Sequence, residues 1–275
     1  MKTYVGFNQG QYGDLFVLLT AARVLKRKEP DSKLIYSINK RYEDCKEIFK
    51  YSDDIDDIVI WEQYDGWPNK NDEIKISELE NQYEGLEIFD PMPKCPMTDW
   101  YNSHHQTTLE CRMHNVGEPT EEEMDFKLNK PEVEKGDYVC ICPATSFGEN
   151  KNLTPEIINK VKEFCLDGGL ELIQISSSQD PLVDGAERFD GNYYESILKV
   201  LGSKFLVSAD TGMIWASSAF SHPTIGLYSY EFYPLTETSI NWRPKNKKQI
   251  SLESDLISNI DMKDVADALE RVYNV

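Results

Sequence analysis

The feature that most constrains this chain is an alternation of short apolar runs with amphipathic helical stretches, which occurs twice along its length. In the first 60 residues, strands are predicted at 2–7 (KTYVGF), 33–37 and 58–61. Between them come a helix from Leu15, with Leu15, Leu18, Leu19, Ala22 and Leu25 on one face, and a helix at 42–51. The alternation resumes with a strand at 138–142 and a helix at 155–165 that has proline in its first turn. Strands at 170–175 and 204–208 flank a helix at 193–201, and a helix at 213–220 leads to a strand at 224–227. Strand–helix–strand order predicts parallel sheets wrapped by helices, here as two facing doubly wound α/β domains with a ligand cleft between them. The expected division is 1–132, 133–258, and a C-terminal helix in 259–275 that packs back on the N-terminal domain. Residues 62–135 carry few periodic runs beyond a predicted helix at 107–115, and NKPEVEKGD at 129–137 has the composition of a linker.

Charge narrows the partners. Acidic residues outnumber basic ones 48 to 29, a net charge of -19 that repels nucleic acid and anionic membranes unless a basic patch forms, as Arg243, Lys245, Lys247 and Lys248 would allow. No run approaches the roughly 20 apolar residues of a membrane span. The start, MKTYVGFNQG, has no basic-then-apolar signal layout, so a cytoplasmic protein is expected. The six cysteines lack a C-x-x-C pair and are expected to be reduced core residues.

Three loops after predicted strands are where chemistry belongs, because ligands of such sheets bind beyond the carboxyl ends of the strands. The first, GQYGDLF, offers Gly10, Gly13 and Asp14; its spacing is not the G-x-G-x-x-G dinucleotide fingerprint, which disfavours an NAD-dependent oxidoreductase. Asp14 opens a helix, as a cap, as a functional carboxylate, or as both. In SADTGMIWASSAF an apolar strand runs into Asp210, Thr211 and Gly212 at a helix start, where free amides and the helix dipole favour phosphate; Asp210 or Thr211 as a simple cap is the plainer alternative. In CPATSFGENKNLTP, Ser146, Gly148 and Lys151 could hold a phosphate, although a loop lysine is more often an ordinary surface residue.

These segments carry a resemblance. GDLFVLLTAARVLKRKEPDSKL is similar to the opening of bacterial heptosyltransferases and their relatives, glycosyltransferase family nine. YSDDIDDIVIW, ENKNLTPEIINKVKEF and FLVSADTGMIWASSAFSHPTIGLYSYEFYP resemble further segments of that family, in the same order. The similarity covers most of 1–60 and 138–235, and the Asp-Thr-Gly element is its most specific part. It implies the GT-B fold and a metal-independent, inverting transfer of a sugar from a nucleotide sugar to an acceptor hydroxyl. Asp14 falls on the family's general base and Lys151 on the lysine that meets the donor phosphate. The donor side it implies is Gly13, Thr145, Ser146, Ser177, Asp210, Thr211, Gly212 and Trp215; the acceptor side is Gln11, Tyr12, Trp100 and His105. No cofactor or metal is implied, the nucleotide sugar being a co-substrate and a glycan the expected acceptor, with modified nucleic acid disfavoured by charge.

There are departures. Trp215 stands where the family commonly has histidine, Ser176–Ser178 replace a Gly-Gly-Pro-like turn, and Tyr228–Glu231 replace Phe-Gly-Pro-Thr. They leave open a nucleotide-sugar-binding protein without catalysis, or another nucleotide-sugar enzyme such as a GT-B epimerase. Asp54-Ile55-Asp56 spells the D-x-D of metal-binding glycosyltransferases, but in this acidic run it is expected to be a solvated turn. His104 and His105 have no companion ligand at metal spacing.

Overall fold

The computed structural model describes residues 2–7, 12–61, 77–78, 81–82, 86–88, 108, 111, 116–125, 127–145, 151–177, 179–231 and 243–274. The chain divides into two compact units, Met1–Asn129 and Lys130–Val275.

In the first unit, β1 (Thr3–Phe7) leads to α1 (Tyr12–Lys28) and then to β2 (Lys33–Asn39). A 3-10 helix (Lys40–Cys45) and the short α2 (Lys46–Phe49) connect to β3 (Asp57–Trp61), and β4 (Leu86–Ile88) completes the sheet. Its order is β3-β2-β1-β4, with every pair parallel. Helix α1 is apolar from Leu15 to Val24 apart from Thr20 and Arg23, and it is buried on more than the single face its spacing predicts. One flank meets the sheet and α2 through the ring contacts Phe16–Phe49 (5.2 Å) and Tyr36–Phe49 (4.9 Å). The other meets α3 (Glu121–Met124), tied down by Arg27–Glu123 at 2.9 Å. The acidic run at 121–125 forms a short helix with a full capping box on Thr120; Glu121 and Glu122 are exposed, while Glu123 and Met124 are buried. The D-x-D run does sit in a turn, yet Asp56 is structural: its carboxylate accepts from Lys26 and from the Leu34 amide, both at 2.6 Å.

The second unit holds a six-stranded parallel sheet, β5 (Tyr138–Cys142), β6 (Glu171–Ile175), β7 (Glu187–Phe189), β8 (Leu206–Ala209), β9 (Thr224–Ser229) and β10 (Gln249–Ser254). The order is β10-β9-β8-β5-β6-β7. Counted from the first strand of the unit, this is the 3-2-1-4-5-6 order of a dinucleotide-type fold, with its reversal between β5 and β8. Strand β5 is buried throughout because it lies in the middle of the sheet, and this is why YVCIC is a continuous apolar run. The connecting helices are α4 (Pro155–Gly168), α5 (Tyr193–Gly202) and α6 (Gly212–Ala219). Helix α4 starts on a Thr154 cap with proline in its first turn and stops at Gly169, whose φ of 65° is a conformation glycine adopts without strain.

The last helix, α7 (Met262–Tyr273), buries its apolar face, Val265, Ala268, Leu269 and Val272, in the second unit's own core, against α4, β9 and β10. Strands β4, β7 and β10 were not predicted: two have three residues, and β10 is an edge strand that is only half-buried. The predicted helix at 107–115 lies largely outside the described residues. Cys45, Cys140, Cys142 and Cys165 are buried free thiols, and Cys111 is buried. Among the described residues, no helix is long and apolar enough to cross a membrane.

Just before β9, His222 is buried with its Nε2 3.1 Å from Ser203 Oγ. Burial first, and then Lys135, Lys130 and Lys248, push its imidazole from 6.5 down to about 3, so it stays neutral in the fold. The unfolded chain takes up this proton near pH 6.5, so the stabilisation is complete above that pH and is lost as pH falls toward 3. Between pH 8 and pH 5, His222→Gln should therefore lose roughly 2 kcal/mol less stability than the parent in urea unfolding; equal losses would contradict a buried neutral imidazole.

Candidate functional site

In the second unit, the strand reversal sets the place. Where neighbouring connections leave in opposite directions, the carboxyl ends of β5 and β8 open a crevice. The loop after β5 contributes Thr145 and Lys151, and the loop after β8 contributes Asp210 and Thr211. The first loop is folded back on itself: Leu153 N donates to Pro143 O at 2.8 Å, and Thr145 N donates to the Asn152 side chain at 2.9 Å. That closure brings Lys151 Nζ to 3.4 Å from Asp210 Oδ2, with both side chains mostly buried, 11% and 16% exposed. The structure thus joins two of the residues singled out from separate loops, and a loop lysine that is usually solvent-facing is here paired and sheltered.

Thr211 is the helix cap. Its backbone is extended (φ -134°, ψ 166°) and its Oγ1 accepts from Met213 N at 3.3 Å. The cap role therefore falls to Thr211 and leaves Asp210 to Lys151. Thr211 Oγ1 also lies 3.0 Å from Ser208 Oγ and 3.8 Å from Cys142 Sγ, which ties the ends of β8 and β5 together. Behind the cap, the small residues of α6 let it sit close to the sheet: Ser217 Oγ meets Thr224 Oγ1 at 2.6 Å and Ser218 Oγ donates to Gln249 at 2.8 Å. Trp215, on this helix, is only 5% exposed.

One residue near the site was not assigned to it from sequence. Tyr228, fully buried on β9, accepts from Gln249 Nε2 at 2.7 Å. Burial first, and then the Asp210 carboxylate, hold its phenol well above the ordinary range. Its place in an apolar strand reads as core, and only the fold brings it near Asp210. Ser177, one strand further out, has its polar atoms engaged in its own turn: its amide donates to Asp180 at 2.9 Å and its hydroxyl accepts from Gln179 N at 3.2 Å.

In the first unit, the equivalent strand reversal falls between β1 and β4, and the segment after β1 leads into α1. Helix α1 begins at Tyr12, so Asp14 is its third residue and not its cap; its carboxylate is partly exposed in the first turn, where the dipole favours negative charge. Tyr12 lies 3.4 Å from both Asp44 carboxylate oxygens and packs edge-on against Tyr42 at 4.7 Å. Burial, followed by Asp44, raises the Tyr12 phenol. Burial is also the largest influence on Tyr42, opposed by Arg41 and reinforced by Asp14. Tyr42 and Asp44 thus join Tyr12, Gly13 and Asp14 at this edge, and no motif marks either of them. Gln11, Trp100, His105 and Ser146 lie outside the described residues.

No protein-family model matches the chain, and no curated protein does. Solved structures do match it over its whole length. A family 9 glycosyltransferase from Veillonella parvula superposes with a TM-score of 0.75 at 12% identity, covering 99% of this chain and 97% of that one. The ADP-heptose LPS heptosyltransferase II of E. coli gives 0.72 at 12% identity, with coverage of 100% and 99%. The iron-containing dodecameric heptosyltransferase TibC, solved with ADP-D-beta-D-heptose, gives 0.60 at 12% identity, covering 99% of this chain and 75% of that one. At these identities the likeness is one of fold, and the chain has the fold of these GT-B glycosyltransferases.

The paired charges make a direct prediction. Asp210→Asn leaves the Lys151 ammonium sheltered without its counter-ion and should cost about 1–3 kcal/mol in urea unfolding. Adding Lys151→Met should recover part of that loss. A neutral Asp210→Asn would mean the pair contributes nothing to the fold.

Proposed function

We propose that this protein is a glycosyltransferase that takes a sugar from a nucleotide-sugar donor and places it on an acceptor hydroxyl, without a metal and with inversion at the anomeric carbon. The observation that carries this is a sheltered lysine beside a capped helix start, at the strand reversal of a sheet whose fold is that of nucleotide-sugar-dependent enzymes. A nucleoside diphosphate leaving group gains negative charge as its bond to the sugar breaks. Lys151 and the first amides of α6 supply positive potential for that charge, the task a divalent cation performs in other glycosyltransferases. Asp210 holds Lys151 in place until the diphosphate arrives, and Thr211 and Gly212 shape the start of the helix. Thr145 borders the same crevice, with Ser146 and Ser177 assigned to the donor side by resemblance alone. Trp215, being buried, acts by packing behind the helix.

Asp14 is the base in this scheme. It takes the proton from the acceptor hydroxyl as the oxygen attacks the anomeric carbon from the face opposite the leaving diphosphate, so the C–O bond to phosphate breaks as the new glycosidic bond forms. Asp14 lies in the first turn of α1, where the helix dipole favours negative charge. Tyr12 and Gly13 adjoin it, and Gln11, Trp100 and His105 complete the proposed acceptor side. The acceptor is a glycan or another hydroxyl-bearing molecule, with nucleic acid disfavoured by the charge of -19. A cytoplasmic site of action fits a donor made from intracellular nucleotides.

The test is transfer measured by mass spectrometry over a panel of nucleotide sugars and glycan acceptors. The parent should form product, and Asp14→Asn should lower the rate at least about a hundredfold while donor affinity stays within a few-fold. Full-rate transfer by Asp14→Asn would remove Asp14 as base, and donor consumed without acceptor would point to an epimerase.

A further inference from the structure

The opposite edge of the second sheet carries a group of charges that the proposed transfer does not use. Lys130 and Lys135 lie in the segment that enters β5, Ser221 and His222 precede β9, and Lys248 precedes β10. All of them are therefore at the amino ends of strands, away from Lys151 and Asp210. Their proximity is fixed by contacts: Lys130 Nζ is 3.4 Å from Ser221 O, and Lys135 donates to Leu201 O. The Ser203–His222 contact of 3.1 Å joins those two chain segments, and Thr224 N donates to Lys248 O at 3.3 Å.

Two observations set this group apart. First, the chain is strongly acidic, and within the same unit Lys151, Lys160, Lys162, Lys204, Arg243 and Lys263 each sit beside a carboxylate. Among the described residues Lys130, Lys135 and Lys248 have no such partner, a property shared with Lys199, Lys247 and Arg271, and the first three are exposed. They depress one another instead: after desolvation, Lys248 and Lys135 lower Lys130, while Lys204 and Lys248 lower Lys135. Second, Ser221 is held in the left-handed region at φ 50°, and its Oγ is buried without a hydrogen-bond partner among the described residues. A buried hydroxyl left this way is costly, and an acceptor oxygen placed against it would relieve that cost.

We propose that Lys130, Lys135 and Lys248, with Ser221 beside Lys130, form a second anion site that takes a phosphate group, either free in solution or on a lipid headgroup. Three exposed lysines supply charge without demanding one geometry, and a turn about χ1 would bring the hydroxyl of half-buried Ser221 outward as a donor. The 3.4 Å contact of Lys130 with Ser221 O is at the long limit of a hydrogen bond, so little is lost when the ammonium turns to an anion. A phosphate there would also neutralise the repulsion among the lysines.

The site is tested by calorimetric titration with inorganic phosphate at constant ionic strength, and by co-sedimentation with phosphatidylcholine vesicles with and without phosphatidic acid. The proteins compared are the parent, Lys130→Gln/Lys248→Gln, and Lys151→Gln. Phosphate binding weakened about tenfold or more in the first variant, and unchanged in Lys151→Gln, would establish the site. Retention by phosphatidic acid vesicles alone, lost in the same variant, would assign it to lipid. No binding in either arm would overturn the proposal. So would binding lost only in Lys151→Gln, which places the phosphate at the donor crevice. A lowered melting temperature with unchanged phosphate affinity would overturn it too, since the lysines would then serve only to cap the carbonyl ends of α5 and α6.

Discussion

The parallel pairing of β5 with β8 is the constraint on which the rest of the second unit depends. Parallel strands need a crossover, and the crossovers that leave β5 and β8 run to opposite sides of the sheet. The loops that leave their carboxyl ends are thereby separated, and the gap between them is lined from both sides without any residue having to be moved into it. Lys151 and Asp210 are 59 residues apart in sequence and 3.4 Å apart in space for this reason. The same order of strands places the lysines at 130, 135 and 248 on the far edge, so one sheet presents two chemically different ends.

What the crevice can do follows from how its charges are held. An ammonium sheltered from water is stabilised by an opposite charge near it, and Asp210 stands in that place. In the proposed reaction a diphosphate brings two such charges and competes for the same ammonium. Tyr228 beneath it, buried and kept protonated, adds no competing negative charge. Helix α6 can present its start to the crevice because Ser217, Ser218 and the flanking alanines bring it close to β8 and β9.

Much of this was legible in the sequence. The β5 run YVCIC, the Thr-Pro start of α4 and the Asp-Thr-Gly step into α6 each carry a strong local signal, and each lies within a few residues of its predicted place. The candidate loops were singled out because strand ends are where such sheets bind ligands. What was lost had physical causes. Edge strands β7 and β10 bury too little to show a pattern. Glu123 looks like solvated charge until Thr120 caps the helix and Arg27 draws its carboxylate inward. Tyr42 and Asp44 carry no motif at all, and Tyr228 stood out only as a departure from the family's pattern, because they come to these places through tertiary contacts.

The central claim is that the crevice between β5 and β8 receives a nucleoside diphosphate through Lys151. The most direct measurement is calorimetric binding of ADP, GDP, UDP and CDP to the parent protein and to Lys151→Ala. The account predicts saturable binding with preference for one base, weakened at least about tenfold by the substitution, since a charge-assisted contact of this kind is worth about 1.5–3 kcal/mol. Binding that is indifferent to Lys151→Ala, or no binding of any of the four, would contradict it.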